Sequence, residues 1–126
     1  MMDIFSYIII GLKIIVGLSI LNVWLIQPQK ATKWRGGAAT TIVEEFEVYG
    51  LPKSVCYLIG FFKVTLALML LASIKFEYLT IIASLGLAFL LLGSIWMHMK
   101  VKDELYKSFP AFLFLVLNLI IAYSAY

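Results

Sequence analysis

Long apolar runs separated by short polar, mostly basic segments give this chain its pattern. The runs cover about 4–26, 51–74, 79–99 and 109–126. Each is close to the roughly 20 residues that an α-helix needs to cross a hydrocarbon core about 30 Å thick. In lipid every backbone N–H and C=O must be paired internally, which leaves only helices or a closed barrel. The runs are continuous rather than alternating, and each is about twice the length of a barrel strand. They predict an all-α integral membrane bundle of four transmembrane helices, forming a single domain over 1–126.

A weaker pattern occupies the long connection between the first two runs. Gly36-Gly37 breaks the chain after Trp34, and Thr41 and Glu44 then stand at capping-box spacing. Ile42, Val43, Phe46 and Tyr49 recur at helical spacing, with Glu44, Glu45 and Glu47 on the other side. This predicts a short amphipathic interfacial helix over about 38–49, between transmembrane helices one and two. Gly50 suits a left-handed cap at its end, and Pro52 suits the start of the next helix.

Composition agrees: 63% of the 126 residues are hydrophobic and 13% charged, with a mean hydropathy of +1.03. The first run lacks the basic leader and small-residue cleavage site of a signal peptide, so it reads as a permanent helix. The net charge of +3 is not gathered into the stripe that nucleic acid requires. It flanks the membrane segments instead. Lys30, Lys33, Arg35 and Lys53 lie in the first connection, and Lys100, Lys102 and Lys107 in the last. On the other side Lys75 is accompanied by Asp3 and Glu77. The positive-inside rule then puts both basic connections in the cytoplasm and both termini outside it, with the bacterial inner membrane as the expected location. One cysteine, Cys56, provides no dithiol pair, and one cysteine with one histidine cannot close a protein-only zinc site. No metal and no catalytic group are expected.

Candidate chemistry lies in the polar residues within the runs. Lys63 falls near the middle of the second, where a lysine costs about 2.5–3.5 kcal/mol on insertion scales and faces the bundle interior or a wet cavity. Cys56, Gly60, Lys63 and Ala67 share one helix face, a small-residue packing surface. The alternative is a lysine that snorkels to the headgroups. Lys13 lies within the first run, and no run carries an acidic residue deep inside it. Each lysine then meets a bound anionic or carbonyl-bearing ligand, loses its charge, or bonds to helix carbonyls and water. Bonds to carbonyls and water are the expectation for Lys13. Asn118, like Asn22, is a candidate for an interhelical hydrogen bond. Lys63, Lys13 and Asn118 form the candidate buried polar or ligand site. His98 closes the third run and has Asp103, Glu104, Glu44 and Glu45 as possible partners, so a pH-sensitive polar cluster of His98, Asp103, Glu44 and Glu45 is expected on the cytoplasmic side.

In order and spacing, several short motifs resemble the DoxX-like family of small four-helix membrane proteins. They are Gly50-Leu51-Pro52, Gly60-Phe61-Phe62-Lys63, His98 followed by Asp103, Pro110-Ala111 and Tyr123. The likeness runs from Gly11 to Tyr123, and Lys63 places it with the lysine-containing branch. The resemblance implies links to thiosulfate–quinone oxidoreduction, membrane redox complexes and receptor assembly. Cysteine-pair quinone chemistry, as in related bundles, does not carry over to a chain with Cys56 alone.

Two functional expectations follow. One is a non-catalytic accessory or assembly subunit in the bilayer, as a homo-oligomer or within a membrane protein complex, with Lys63 holding a lipid, quinone or anion. The other is a redox-complex subunit that handles a quinone or a sulfur compound, with electrons supplied by a partner. A small multidrug-type transporter is disfavoured, because Lys13 stands at the depth where that class resembles a pattern built on glutamate.

Overall fold

The computed structural model describes residues 3–126. Asp3 caps the first helix, accepting a hydrogen bond from the Ser6 amide at 2.9 Å. Helix α1 (Ile4–Leu21) continues as a wider π-helical turn, Asn22–Ile26. Helix α2 is short (Ile42–Val48). The remaining long helices are α3 (Lys53–Ala72), α4 (Thr80–Lys100) and α5 (Phe109–Ala125). With their flanking turns, four helical segments among the described residues are long and apolar enough to cross a membrane. They are Ile4–Ile26, Lys53–Ala72, Glu77–Lys100 and Leu105–Ala125.

The four long helices pack as a ring, α1 against α3, α3 against α4, α4 against α5 and α5 against α1. Val16, Ile20, Ala67, Leu70, Ala83, Leu87 and Ile121 form its core, and a smaller cluster of Ala88, Leu91 and Leu115 lies between α4 and α5. Large apolar side chains such as Phe61, Leu68, Phe89 and Leu119 point outward. In water that surface would be one continuous sticky patch, whereas among acyl chains it is a solvated face. The small-residue face of α3 is spent inside the chain: Cys56, Gly60 and Ala67 are all buried in the bundle.

The interfacial helix is shorter than the 38–49 predicted, because Thr41 starts it and Tyr49 ends it. Thr41 Oγ1 accepts the Glu44 amide at 3.1 Å. The Glu44 carboxylate turns back one residue further, to the amide and hydroxyl of Thr40 at 2.9 and 2.7 Å. These bonds hold the Glu44 carboxyl below the usual carboxylate range, the Thr40 amide contributing most. At the other end Gly50 adopts φ 81°. There the Leu51 amide reaches the Phe46 carbonyl at 2.9 Å, a Schellman closure. Pro52 then sits just before α3, in extended conformation.

Lys13 fastens the end of the bundle opposite the basic connections. Its side chain is 2% exposed, and its ammonium donates to the Ser73 carbonyl at 3.2 Å and Thr80 Oγ1 at 3.1 Å. Ser73 is the C-cap of α3 and Thr80 opens α4. The cation thus lies at the negative end of one helix dipole and ties α1 to the α3–α4 turn.

Candidate functional site

A chamber of about 880 Å³ fills the half of the bundle nearer the basic connections. Its depth is marked by Lys63, its walls by Trp24, Trp34 and Phe46, and its roof by Arg35, Glu45, Tyr49 and His98. Lys63 gets there because a helical side chain leans toward its helix N-terminus, here the basic end. The residue is 9% exposed and its ammonium donates to Ser94 Oγ at 3.2 Å. That nitrogen also lies 5.6 Å from the centroid of Trp24. An ammonium has three donors. Lys63 makes this one hydrogen bond and no ion pair among the described residues.

The chamber reaches the lipid. Phe89, Leu92 and Trp96 line it while lying largely exposed along one stripe of α4. Its volume is within the roughly 300–1,000 Å³ typical of sites that bury a drug-sized ligand.

The roof is a buried polar network. Tyr49 Oη donates to Glu45 Oε1 at 2.6 Å and lies 3.3 Å from His98 Nε2. His98 Nδ1 lies 2.7 Å from Asp103 Oδ2. The imidazole is thus held between the tyrosine oxygen on one edge and the Asp103 carboxylate on the other. Asp103 Oδ1 accepts the Gly37 amide at 3.0 Å, and Lys107 donates to the Gly37 carbonyl at 2.7 Å. Arg35 donates to Glu45 Oε2 at 3.3 Å and to the carbonyls of Gln27, Pro28 and Lys30. The network joins α2, the first connection and the α4–α5 turn into one lid.

Local sequence explains why these groups meet. Glu45 and Tyr49 are one turn apart on α2, and Ser94 and His98 one turn apart on α4. Helix α4 ends in a Schellman closure with Lys102 at φ 59°. The Asp103 amide returns to the His98 carbonyl at 2.9 Å, which delivers the Asp103 carboxylate to the imidazole. Burial pushes the Asp103 carboxyl up, but the His98 and Gly37 hydrogen bonds and the Lys107 charge outweigh it, so it lies below the ordinary carboxylate value. Burial also pushes the Tyr49 phenol far up, with the Glu45 charge adding to the effect, so Tyr49 stays a donor.

Several sequence expectations change here. Glu44 does not join His98: its carboxylate is committed to Thr40. Glu45, expected in the same cluster, does lie beside His98 at 3.8 Å, its side chain only 14% exposed. The expected polar face of α2 therefore holds Glu44 and Glu47 alone, because Arg35 and Tyr49 draw Glu45 inward. Lys63, Lys13 and Asn118 do not form one site. Lys13 lines a separate cavity of about 230 Å³ with Ser6, Glu77 and Ser124. Asn118 lines neither cavity. It donates to the Phe114 carbonyl of its own helix at 2.8 Å, which replaces the interhelical bond expected of it. Its Oδ1 has no partner among the described residues. Among the described residues no group of His, Cys, Asp and Glu is placed to hold a metal ion.

Sequence reading missed Trp24, Arg35, Tyr49 and Ser94 as parts of a site. Arg35 read as an orientation signal and Tyr49 as one of the apolar positions of α2, and only the turn spacing of Ser94 to His98 offers a signal for a shared wall.

A family model described as the DoxX-like family matches residues 33–121, a stretch that holds Arg35, Lys63, His98 and Asp103. No curated protein and no solved structure gives a match.

Proposed function

This chain belongs to the DoxX-like family, and from that premise we propose that it is a non-catalytic accessory subunit of the membrane that holds an amphiphilic ligand drawn from the bilayer. The observation that carries this reading is Lys63, an ammonium with a single hydrogen-bond partner at the depth of an 880 Å³ chamber. A membrane-buried lysine is costly, and such residues mark ligand or ion pathways. The aromatic walls suit an apolar body, the ammonium suits an oxygen-bearing head, and the exposed stripe of Phe89, Leu92 and Trp96 suits entry from the lipid. The positive-inside rule supports a cytoplasmic lid in the bacterial inner membrane, with both termini on the other side.

Native mass spectrometry of the protein released from its own membranes tests the reading. A retained small amphiphile is expected with the wild type and is lost with Lys63→Ala. Equal bulk-lipid adducts on both would remove the ligand. The accessory role is tested by deletion: a membrane complex that co-purifies with the chain should assemble poorly without it, and intact assembly would remove that role.

A second reading, a redox-complex subunit that binds a quinone, rests on the two Lys63 N–H donors that Ser94 leaves free, either of which suits a quinone carbonyl. Quinone affinity unchanged in Lys63→Ala would eliminate it.

A further inference from the structure

The amphiphile reading leaves open the charge on the head group. Resting on that reading, we propose that the occupant is a single-chain amphiphile with one negative charge, a fatty-acid carboxylate seated on Lys63. The chamber's charges select that class. Arg35 is paired to Glu45 at 3.3 Å and spends its other donors on the carbonyls of Gln27, Pro28 and Lys30. Lys107 stands 3.9 Å from Asp103, and His98 lies between Asp103 at 2.7 Å and Glu45 at 3.8 Å. Tyr49 is a neutral donor to Glu45. Lys63 alone among these basic groups has no carboxylate within ion-pair distance, and Ser94 takes only one of its three donors.

A neutral carbonyl would take one of the two spare N–H groups and leave the charge unbalanced in a low-dielectric site. A carboxylate brings two acceptor oxygens and the missing charge together, and charge-assisted bonds are about twice as strong as neutral ones. The chamber converges on one cation and has the volume of one drug-sized molecule, which suits one tail instead of the two of a phospholipid.

The protein carries its own reporter, since its three tryptophans, Trp24, Trp34 and Trp96, all line the chamber. The full chain in phosphatidylcholine nanodiscs is titrated with dibrominated stearate, whose bromines quench tryptophan fluorescence at contact. Saturable quenching is expected, at least tenfold tighter than with dibrominated stearyl alcohol. Lys63→Arg keeps the preference for the acid, and Lys63→Met erases it. Alcohol binding as tightly as acid overturns the charge assignment and leaves the chamber standing as a ligand site. Tighter binding of a brominated phosphatidylglycerol overturns the single-chain assignment. Absence of saturable quenching by every probe overturns this inference and the reading beneath it. The wild-type acid-to-alcohol comparison decides the matter even where Lys63→Met fails to insert.

Discussion

The six-membered ring of Trp24 lies directly against Gly60: a Cβ at Gly60 would stand 2.6 Å from its Cε3 and Cζ3 atoms. The π-helical turn Asn22–Ile26 carries Trp24, and such turns recur at functional sites. The same indole flanks the Lys63 ammonium, so Gly60 sets the position of a chamber wall that it does not itself line. Gly60→Leu should cost about 1–3 kcal/mol through overpacking. It should also shift tryptophan emission and weaken whatever the chamber holds. Thermal unfolding and emission spectra of the detergent-solubilised variant check this; unchanged spectra would mean that Trp24 does not rest there.

Asp103 makes stability depend on acid. Its folded pKa is depressed below the ordinary value of 3.8, so its contribution is present above that value and lost as pH falls through the folded one. Melting temperatures measured from pH 7 down to about 3 should fall on the acid side in the wild type. Asp103→Asn should be less stable at neutral pH by about 1–3 kcal/mol, the cost of stripping a partner from a buried polar group. Its acid limb should be flatter. Parallel curves for the two proteins would place acid sensitivity elsewhere.

Lys13 and Lys63 should respond differently to the same change. Lys13 bonds to the Ser73 carbonyl and Thr80 hydroxyl and does not line the large chamber. Lys13→Ala should destabilise the bundle by about 1–3 kcal/mol, through a cavity and unmade bonds. Lys13→Met, which refills the volume without a buried charge, should recover much of that loss. Both should leave chamber binding unchanged when it is assayed by tryptophan quenching. Loss of binding in Lys13→Met would mean that the two ends of the bundle are coupled.

Lys102 turns the chain at the end of α4 with φ 59°, in the left-handed region where a side chain is disfavoured by roughly 1–2 kcal/mol. Lys102→Gly should stabilise the protein by a net amount of about 0.5–1 kcal/mol, part of the relief being lost to the freedom of glycine in the unfolded chain. A chemical-denaturation series checks it. A fall in stability would show that Lys102 makes a compensating contact.

Lys63 could be placed inward from sequence because Cys56, Gly60 and Ala67 share its face, and those residues are buried. The link from His98 to Asp103 was readable for a similar reason, since both belong to one helix terminus. The choice of Glu45 over Glu44 was not. Both acids stand in the first turn of α2, and only the arrival of Arg35 and His98 from other segments distinguishes them. Tyr49 was hidden more thoroughly, because its ring completes the apolar spacing of α2 while its hydroxyl joins Glu45 to the edge of His98.

The amino-acid order by itself determined the number of membrane-crossing helices and the caps that begin and end α2. Transfer into hydrocarbon is a sum over about 20 consecutive residues, and a cap is settled within one turn. Bonds to carbonyls were the expectation for Lys13, but only the tertiary structure decided which partners make it a fastener and put Lys63 in a chamber. Both lie in apolar helices without nearby acids, so their surroundings in sequence are alike. What separates them is the partners brought from 60 and 67 positions away for Lys13, and from 31 positions away for Lys63. Packing four helices into a ring sets those distances, and no local run of residues encodes them.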